Sequence, residues 1–198
     1  NLVAGFGMDL SVWEKIRSGN VGYELVRPLD VYSHWYVSAV AVKLAPFLTA
    51  VVPVATVALL VPGELGLMPP VSALHLIACV CTLMTGLVLS CGTICLSYAM
   101  LMDPRVGEAP SNMLNLLIQI LAGAYLPLSL WPEWMQGFLY WQPFAGLLDL
   151  PLRFYVGAAP VFDVWRVVPI QLFWAAMVIW LGRRWIGRSL KKLVMQGG

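Results

Sequence analysis

Four mostly apolar runs, at positions 36–61, 71–102, 112–130 and 164–185, constrain this chain more than any other feature. A helix that crosses a bilayer needs about 20 mainly apolar residues. No soluble core of this size could bury all four runs. Of the 198 residues, 60% are hydrophobic and 11% charged, against roughly 25% charged in a typical soluble domain; the mean hydropathy is +0.80. The sequence predicts an all-α integral membrane protein, a multi-span helical bundle occupying 36–198 behind a polar segment at 1–35. A net charge of +2 is too small to suggest a nucleic-acid partner.

The first run holds Lys43, Pro46 and Pro53, which predicts a kinked helix whose lysine snorkels to the near interface. The second run is overlong and should tilt or protrude. The fourth carries Pro169 in its first turns and Trp165, Trp174, Trp180 and Trp185 along its length, the outermost near the interfaces. Basic residues set the orientation. Lys15, Arg17, Arg27, Arg105, Arg183, Arg184, Arg188, Lys191 and Lys192 fall on one side of the spans, and Arg153 and Arg166 on the other. The positive-inside rule puts the larger group, and both ends of this sequence, in the cytoplasm. An even number of spans agrees, with 62–70 and 131–163 external. No basic, then apolar, then cleavable pattern of a signal peptide opens the chain.

The segment "WPEWMQGFLYWQPFAGLLDLPLRFYVG" (131–157) is apolar, yet Pro132, Pro143 and Pro151 cut it into pieces too short to cross. Re-entrant or interfacial helices are expected there, because irregular backbone at membrane depth survives only against protein or a wet cavity. Asp149 and Arg153 stand four apart and can pair on a helix.

Catalytic and metal chemistry find little support. Cys79, Cys81, Cys91 and Cys95 lie in one apolar run with His75, but helical spacing does not converge four ligands on one point. Small polarizable residues at a close helix contact explain them better. Ser90 lacks a G-x-S-x-G elbow and a histidine at its depth, His34 and His75 falling on opposite sides. No phosphate-cradling loop is present, so any ATP is bound by another chain. Asn112, Asn115 and Gln119 occupy the third run, with Asn115 and Gln119 on one helical face; such amides either glue helices together or line a polar path.

The opening stretch "WEKIRSGNVGYELVRPLD" (13–30) holds six of the twenty-two charged residues. Ser11 and Glu14 have capping-box spacing, so a short helix is expected from Val12, ended by Gly19, with Pro28 breaking any continuation. Trp13 and Ile16 give it an apolar side, and Glu14, Lys15 and Arg17 keep it wet. Such a helix can serve as an interfacial lipid anchor.

Two blocks resemble a known family. Ile16, Arg17, Gly19, Leu25, Arg27, Pro28 and Leu29 form one; Gly123, Pro127, Leu128, Pro132, Glu133, Trp134, Pro143, Phe144, Pro151 and Gly157 form the other. Together they resemble the type-2 ABC exporter permeases of bacteria. The resemblance implies six spans, of which two precede Asn1, and a re-entrant hairpin before the last span. It implies a plasma-membrane permease that pairs with a second permease and with cytosolic ATPase subunits, which carry the ATP and magnesium. It also makes the opening helix a cytoplasmic coupling helix seated on the ATPase through Trp13, Glu14, Lys15, Ile16, Arg17 and Arg27. Asn115, Gln119 and Tyr125 become candidates for the path, and Glu133, Asp149 and Arg153 for an outer gate. The expected activity is ATP-driven export of a small amphipathic or lipid-like molecule by alternating access, with no catalytic residue, metal or cofactor on this chain. A membrane scaffold and an intramembrane enzyme built on His75 or the cysteines are the rival expectations.

Overall fold

A computed structural model describes residues 9–18, 20–21, 30–60 and 70–196, without the side chains at 10, 51–52, 54–55, 57–60 and 192–196. The described residues are helical, with no strand among them. The order is α1 (Leu10–Arg17), α2 (Val31–Leu60), α3 (Ala73–Met102), α4 (Glu108–Leu121), α5 (Glu133–Trp141), α6 (Asp149–Tyr155) and α7 (Val164–Gln196), with short 3-10 turns before α5, α6 and α7.

Local chemistry sets most of these ends. Ser72 caps α3, accepting from the His75 N–H at 3.4 Å. The helix stops at Asp103, whose backbone is extended, because Pro104 follows and disfavours the α conformation before it. Pro143 ends α5 in the same way through an extended Gln142.

Helices α3 and α7 form the central pair, joined by α2 on one side. A Cβ added at Gly92 would meet Ile179 Cγ1 at 3.2 Å, and one at Gly182 would meet Tyr32 Cε2 at 3.3 Å. Small residues therefore set how closely these helices approach. Cys91 and Cys95 are buried in the same seam, in one cluster with Tyr32, Trp35 and Tyr98. Cys79 is also buried but Cys81 is exposed. Among the described residues no group of three or more His, Cys, Asp or Glu could hold a metal. A second buried cluster, with Cys79, Leu128, Leu139, Ala145, Leu150, Phe154 and Val167 among its members, packs 128–167 against the first half of α3.

By length and hydropathy, two described segments qualify as spans: Ala73–Met102 and Val161–Lys191. Their outward faces expose Leu74, Ile77, Val80 and Met84, and Leu172, Phe173 and Trp180. Exposed apolar side chains in this number mark a surface that meets membrane or another protein.

Three expectations change. The helix expected to start near 36 begins at Val31 and runs for 30 residues through Pro46 and Pro53. Lys43 consequently lies about 18 Å along it, is only 3% exposed, and stands within electrostatic reach of Cys91. Instead of reaching out to an interface, its side chain is enclosed by the bundle. The run at 112–130 is helical only to Leu121; α4 has 14 residues and spans about 21 Å, short of a hydrocarbon core of about 30 Å. Gly123 is responsible. At φ 83 it occupies the left-handed region, its N–H bonding Ile120 O at 3.1 Å and that of Ala124 bonding Gln119 O at 3.0 Å, a Schellman stop. Finally, α1 is capped by Asp9 rather than Ser11, and starts at Leu10.

Candidate functional site

Two regions gather the residues singled out in the sequence, one at each end of α3. At the arginine-rich end, Asp9 holds α1. Its Oδ1 accepts from the Ser11 N–H at 2.9 Å and the Ser11 hydroxyl at 2.7 Å. Its Oδ2 accepts from the Ser38 hydroxyl of α2 at 2.5 Å, and its own N–H donates to the Tyr98 hydroxyl of α3 at 2.8 Å. One residue thus caps α1 and fastens it to two long helices. Burial works against the Asp9 charge, but the Ser38 and Ser11 hydroxyls and the Ser11 and Val12 N–H groups outweigh it and hold the carboxyl below its ordinary pKa.

Val12 is buried against the bundle and Ile16 partly so, which makes the inner side of α1 protein-facing. Glu14 and Arg17 remain exposed, while Trp13 and Lys15 are intermediate. Arg17 stacks over Trp13 at 4.9 Å and approaches Glu108 of α4 at 3.9 Å, with side chains 65% and 50% exposed. A pair so exposed contributes within about 1 kcal/mol. The Arg183 guanidinium meets Asp30 at 2.6 Å, tying α7 to the start of α2. Arg27, with Gly19, Leu25, Pro28 and Leu29 of the first resembling block, lies outside the described residues.

The second region replaces the missing half of the third run. After Gly123 the chain proceeds as turns, and its backbone groups need partners. Asp149 supplies one, accepting from the Leu128 N–H at 3.2 Å; its own N–H donates to Ala122 O at 3.3 Å. Gln142 supplies another, donating to Leu121 O at 2.8 Å while accepting from the Phe144 N–H at 2.7 Å. Gln171 of α7 donates to Gly146 O at 2.7 Å and accepts from the Thr85 hydroxyl of α3. These three buried side chains bind the irregular segment to α3, α4 and α7.

Asp149 and Arg153 do share a face of α6, at 4.0 Å. The Arg153 guanidinium, however, is engaged by the Tyr140 hydroxyl and lies over its ring at 5.0 Å. Burial raises the Asp149 carboxyl pKa, only partly opposed by the Leu128 N–H and Arg153. Glu133 stands apart from both, exposed in the first turn of α5. Asn115 donates to Ser111 O at 2.9 Å and to the Ser97 hydroxyl of α3 at 3.5 Å, so its amide joins α4 to α3. Gln119 is half-buried on the same face, and Tyr125, beyond the helix, is 66% exposed.

Sequence reasoning passed over Asp9, Gln142 and Gln171. The signals were present: an aspartate directly before a helical pattern is a strong cap, and an amide inside an apolar run needs an account wherever it falls.

Among the described residues the structure is a helical bundle with two central helices of membrane length and a broken segment braced by buried side chains, the build of a membrane component. The chain belongs to the ABC-2 family transporter proteins, whose profile matches residues 5–197. No curated protein and no solved structure shows a significant match.

Proposed function

We propose that this chain is the permease subunit of an ATP-driven exporter in a bacterial plasma membrane, moving a small amphipathic or lipid-like molecule outward by alternating access. The six-span plan of the resemblance puts two further spans ahead of the helices described above. ATP and magnesium belong to a cytosolic ATPase partner, and a second permease completes the pore. The observation that carries the proposal is the fastening of α1 through Asp9 to Ser38 of α2 and Tyr98 of α3. A helix held to two long helices passes a rigid-body push into the bilayer, where a free loop would not. In this reading Trp13, Glu14, Lys15, Ile16, Arg17 and Arg27 form the coupling surface. The segment around Glu133, Asp149 and Arg153 is a re-entrant outer gate, and Asn115, Gln119 and Tyr125 border the path. The burial of Val12 and the partial burial of Ile16 favour coupling over a lipid anchor, because they commit the apolar side of α1 to the bundle.

The deciding experiment is pull-down of the cytosolic ABC ATPase that co-purifies with the wild-type chain, using wild type and the doubly reversed Glu14→Arg, Arg17→Glu permease. The variant should insert normally, recover at least tenfold less ATPase and lose export. Equal recovery and equal export would reject the coupling role.

Orientation is tested separately. Gly137 is exposed, with nothing within 4 Å of an added Cβ, and Arg188 is exposed. In a Cys81→Ser background, a membrane-impermeant thiol reagent should label Gly137→Cys from outside intact cells and leave Arg188→Cys untouched. The opposite pattern would invert the topology.

A further inference from the structure

Between α6, the loop that follows it and the first turns of α7 lies a cavity of about 290 Å³. Its polar lining is Tyr140, Arg153, Asp163 and Arg166, and Leu150 and Val167 belong to its apolar wall. The Arg166 guanidinium stacks over the Trp141 ring at 5.2 Å, which holds it in place without neutralising it. Among the described residues, neither Asp163 nor Arg166 makes an ion pair. Asp149 offsets Arg153 from 4.0 Å. The charged residues lining the cavity are thus two guanidiniums and one carboxylate, and because Asp149, from outside the lining, already offsets Arg153, Arg166 and Asp163 are left to face a ligand.

Its surroundings place it at a membrane interface. Trp134, Phe162 and Trp165 are 81%, 86% and 81% exposed at this end of the molecule, and tryptophan side chains of membrane proteins gather at headgroup level. Below the cavity, α7 presents exposed Leu172 and Phe173, a surface along which acyl chains can lie. Pockets for drug-sized ligands measure about 300–1,000 Å³, so this one suits a headgroup rather than a whole lipid.

We propose that this cavity binds the headgroup of a zwitterionic, amine-bearing phospholipid, with Arg166 on the phosphate and Asp163 on the ammonium. A guanidinium donates two parallel hydrogen bonds to a phosphate. A primary ammonium gives the Asp163 carboxylate up to three donors that a trimethylated one lacks. An anionic headgroup with an uncharged terminus would still meet Arg166 through its phosphate but would bring no cation to Asp163. The inference uses only the membrane placement of the chain; it is independent of export direction and of the ATPase.

The test uses purified, delipidated protein in detergent, with affinity measured for dioctanoyl phosphatidylethanolamine, phosphatidylcholine and phosphatidylglycerol, and for free O-phosphorylethanolamine. Phosphatidylethanolamine should bind at least tenfold more tightly than the other two lipids, and the free headgroup at least a hundredfold more weakly. Arg166→Gln should weaken phosphatidylethanolamine binding at least tenfold, with Arg166→Lys recovering part of it. Asp163→Asn should erase the preference over phosphatidylcholine. Equal binding of all three lipids, or unchanged binding by correctly folded Arg166→Gln and Asp163→Asn proteins, would overturn the site. Free O-phosphorylethanolamine binding as tightly as the lipid would overturn its assignment to a membrane ligand.

Discussion

Gly146→Ala should be among the most damaging single-methyl additions in the protein. A Cβ at this position would sit 1.9 Å from Gln171 Nε2 and 2.5 Å from its Cδ. A flexible surface glutamine would swing away, but Gln171 is 1% exposed and bonded both to Gly146 O and to Thr85. Evicting it strands a carbonyl and an amide in the interior, at about 1–3 kcal/mol per unsatisfied group. Thr85 suffers less, because its hydroxyl also reaches Cys81 O and Thr82 O at 3.1 Å each. At about 2–4 °C per kcal/mol for a chain of this size, the unfolding midpoint in detergent should fall by roughly 5–10 °C. The double variant Gly146→Ala, Gln171→Ala should lose less than the sum of its parts, since the second change makes room for the first. An unchanged midpoint for Gly146→Ala would show that Gln171 is not seated against that backbone.

Asp9→Ala should produce the largest functional loss for the smallest structural disturbance. Removing an aspartate cap costs about 0.5–2 kcal/mol, and here the Ser38 bond goes with it. If α1 couples to an ATPase, the variant should still bind the partner, because Glu14 and Arg17 are untouched, and ATP should still be hydrolysed. Export in proteoliposomes should drop at least tenfold relative to hydrolysis. Tyr98→Phe is the milder companion: it keeps the edge contact with Trp35 at 5.7 Å and removes only the acceptor for the Asp9 N–H. Normal export per ATP by Asp9→Ala would exclude α1 as a transmitter. The Asp9 latch also has a pH sense. The folded carboxyl pKa lies below its ordinary value, so its stabilisation is fully present above that value and lost as pH falls through the folded pKa. Acid, not base, should loosen α1.

The parts of this architecture that depend on counting were legible in advance. Apolar length predicted the helices within 73–102 and 164–185, and the prolines at 132 and 143 correctly marked a broken segment; Pro151 does not break the chain as expected, because it falls in the first turn of α6, where its missing N–H costs no helical bond. Distributed chemistry was less legible. Gly123 sits inside an apolar run that reads as continuous, and its left-handed conformation turns the chain, with Asp149 bonding Ala122 and Leu128 on either side of the turn. Asp149 and Arg153 looked like a self-contained pair, because i,i+4 spacing is visible in sequence whereas Leu128 and Tyr140 as competing partners are not. Ser11 looked like the cap because the box motif is local; Asp9 prevails because it also reaches Ser38 and Tyr98, contacts that no linear pattern encodes.

The burial of Lys43 bears on how such a chain is made. Helix α2 leaves the ribosome before α3, and a lysine near the middle of a lone helix raises the cost of entering lipid by roughly 2.5–3.5 kcal/mol. In the finished fold that side chain is 3% exposed, covered in part by the cysteine-bearing face of α3. If α2 is one of the spans of the permease proposed above, it is a poor membrane helix alone and a good one in company. It should wait at the insertion machinery until α3 emerges, and the two should pass into the bilayer as a hairpin.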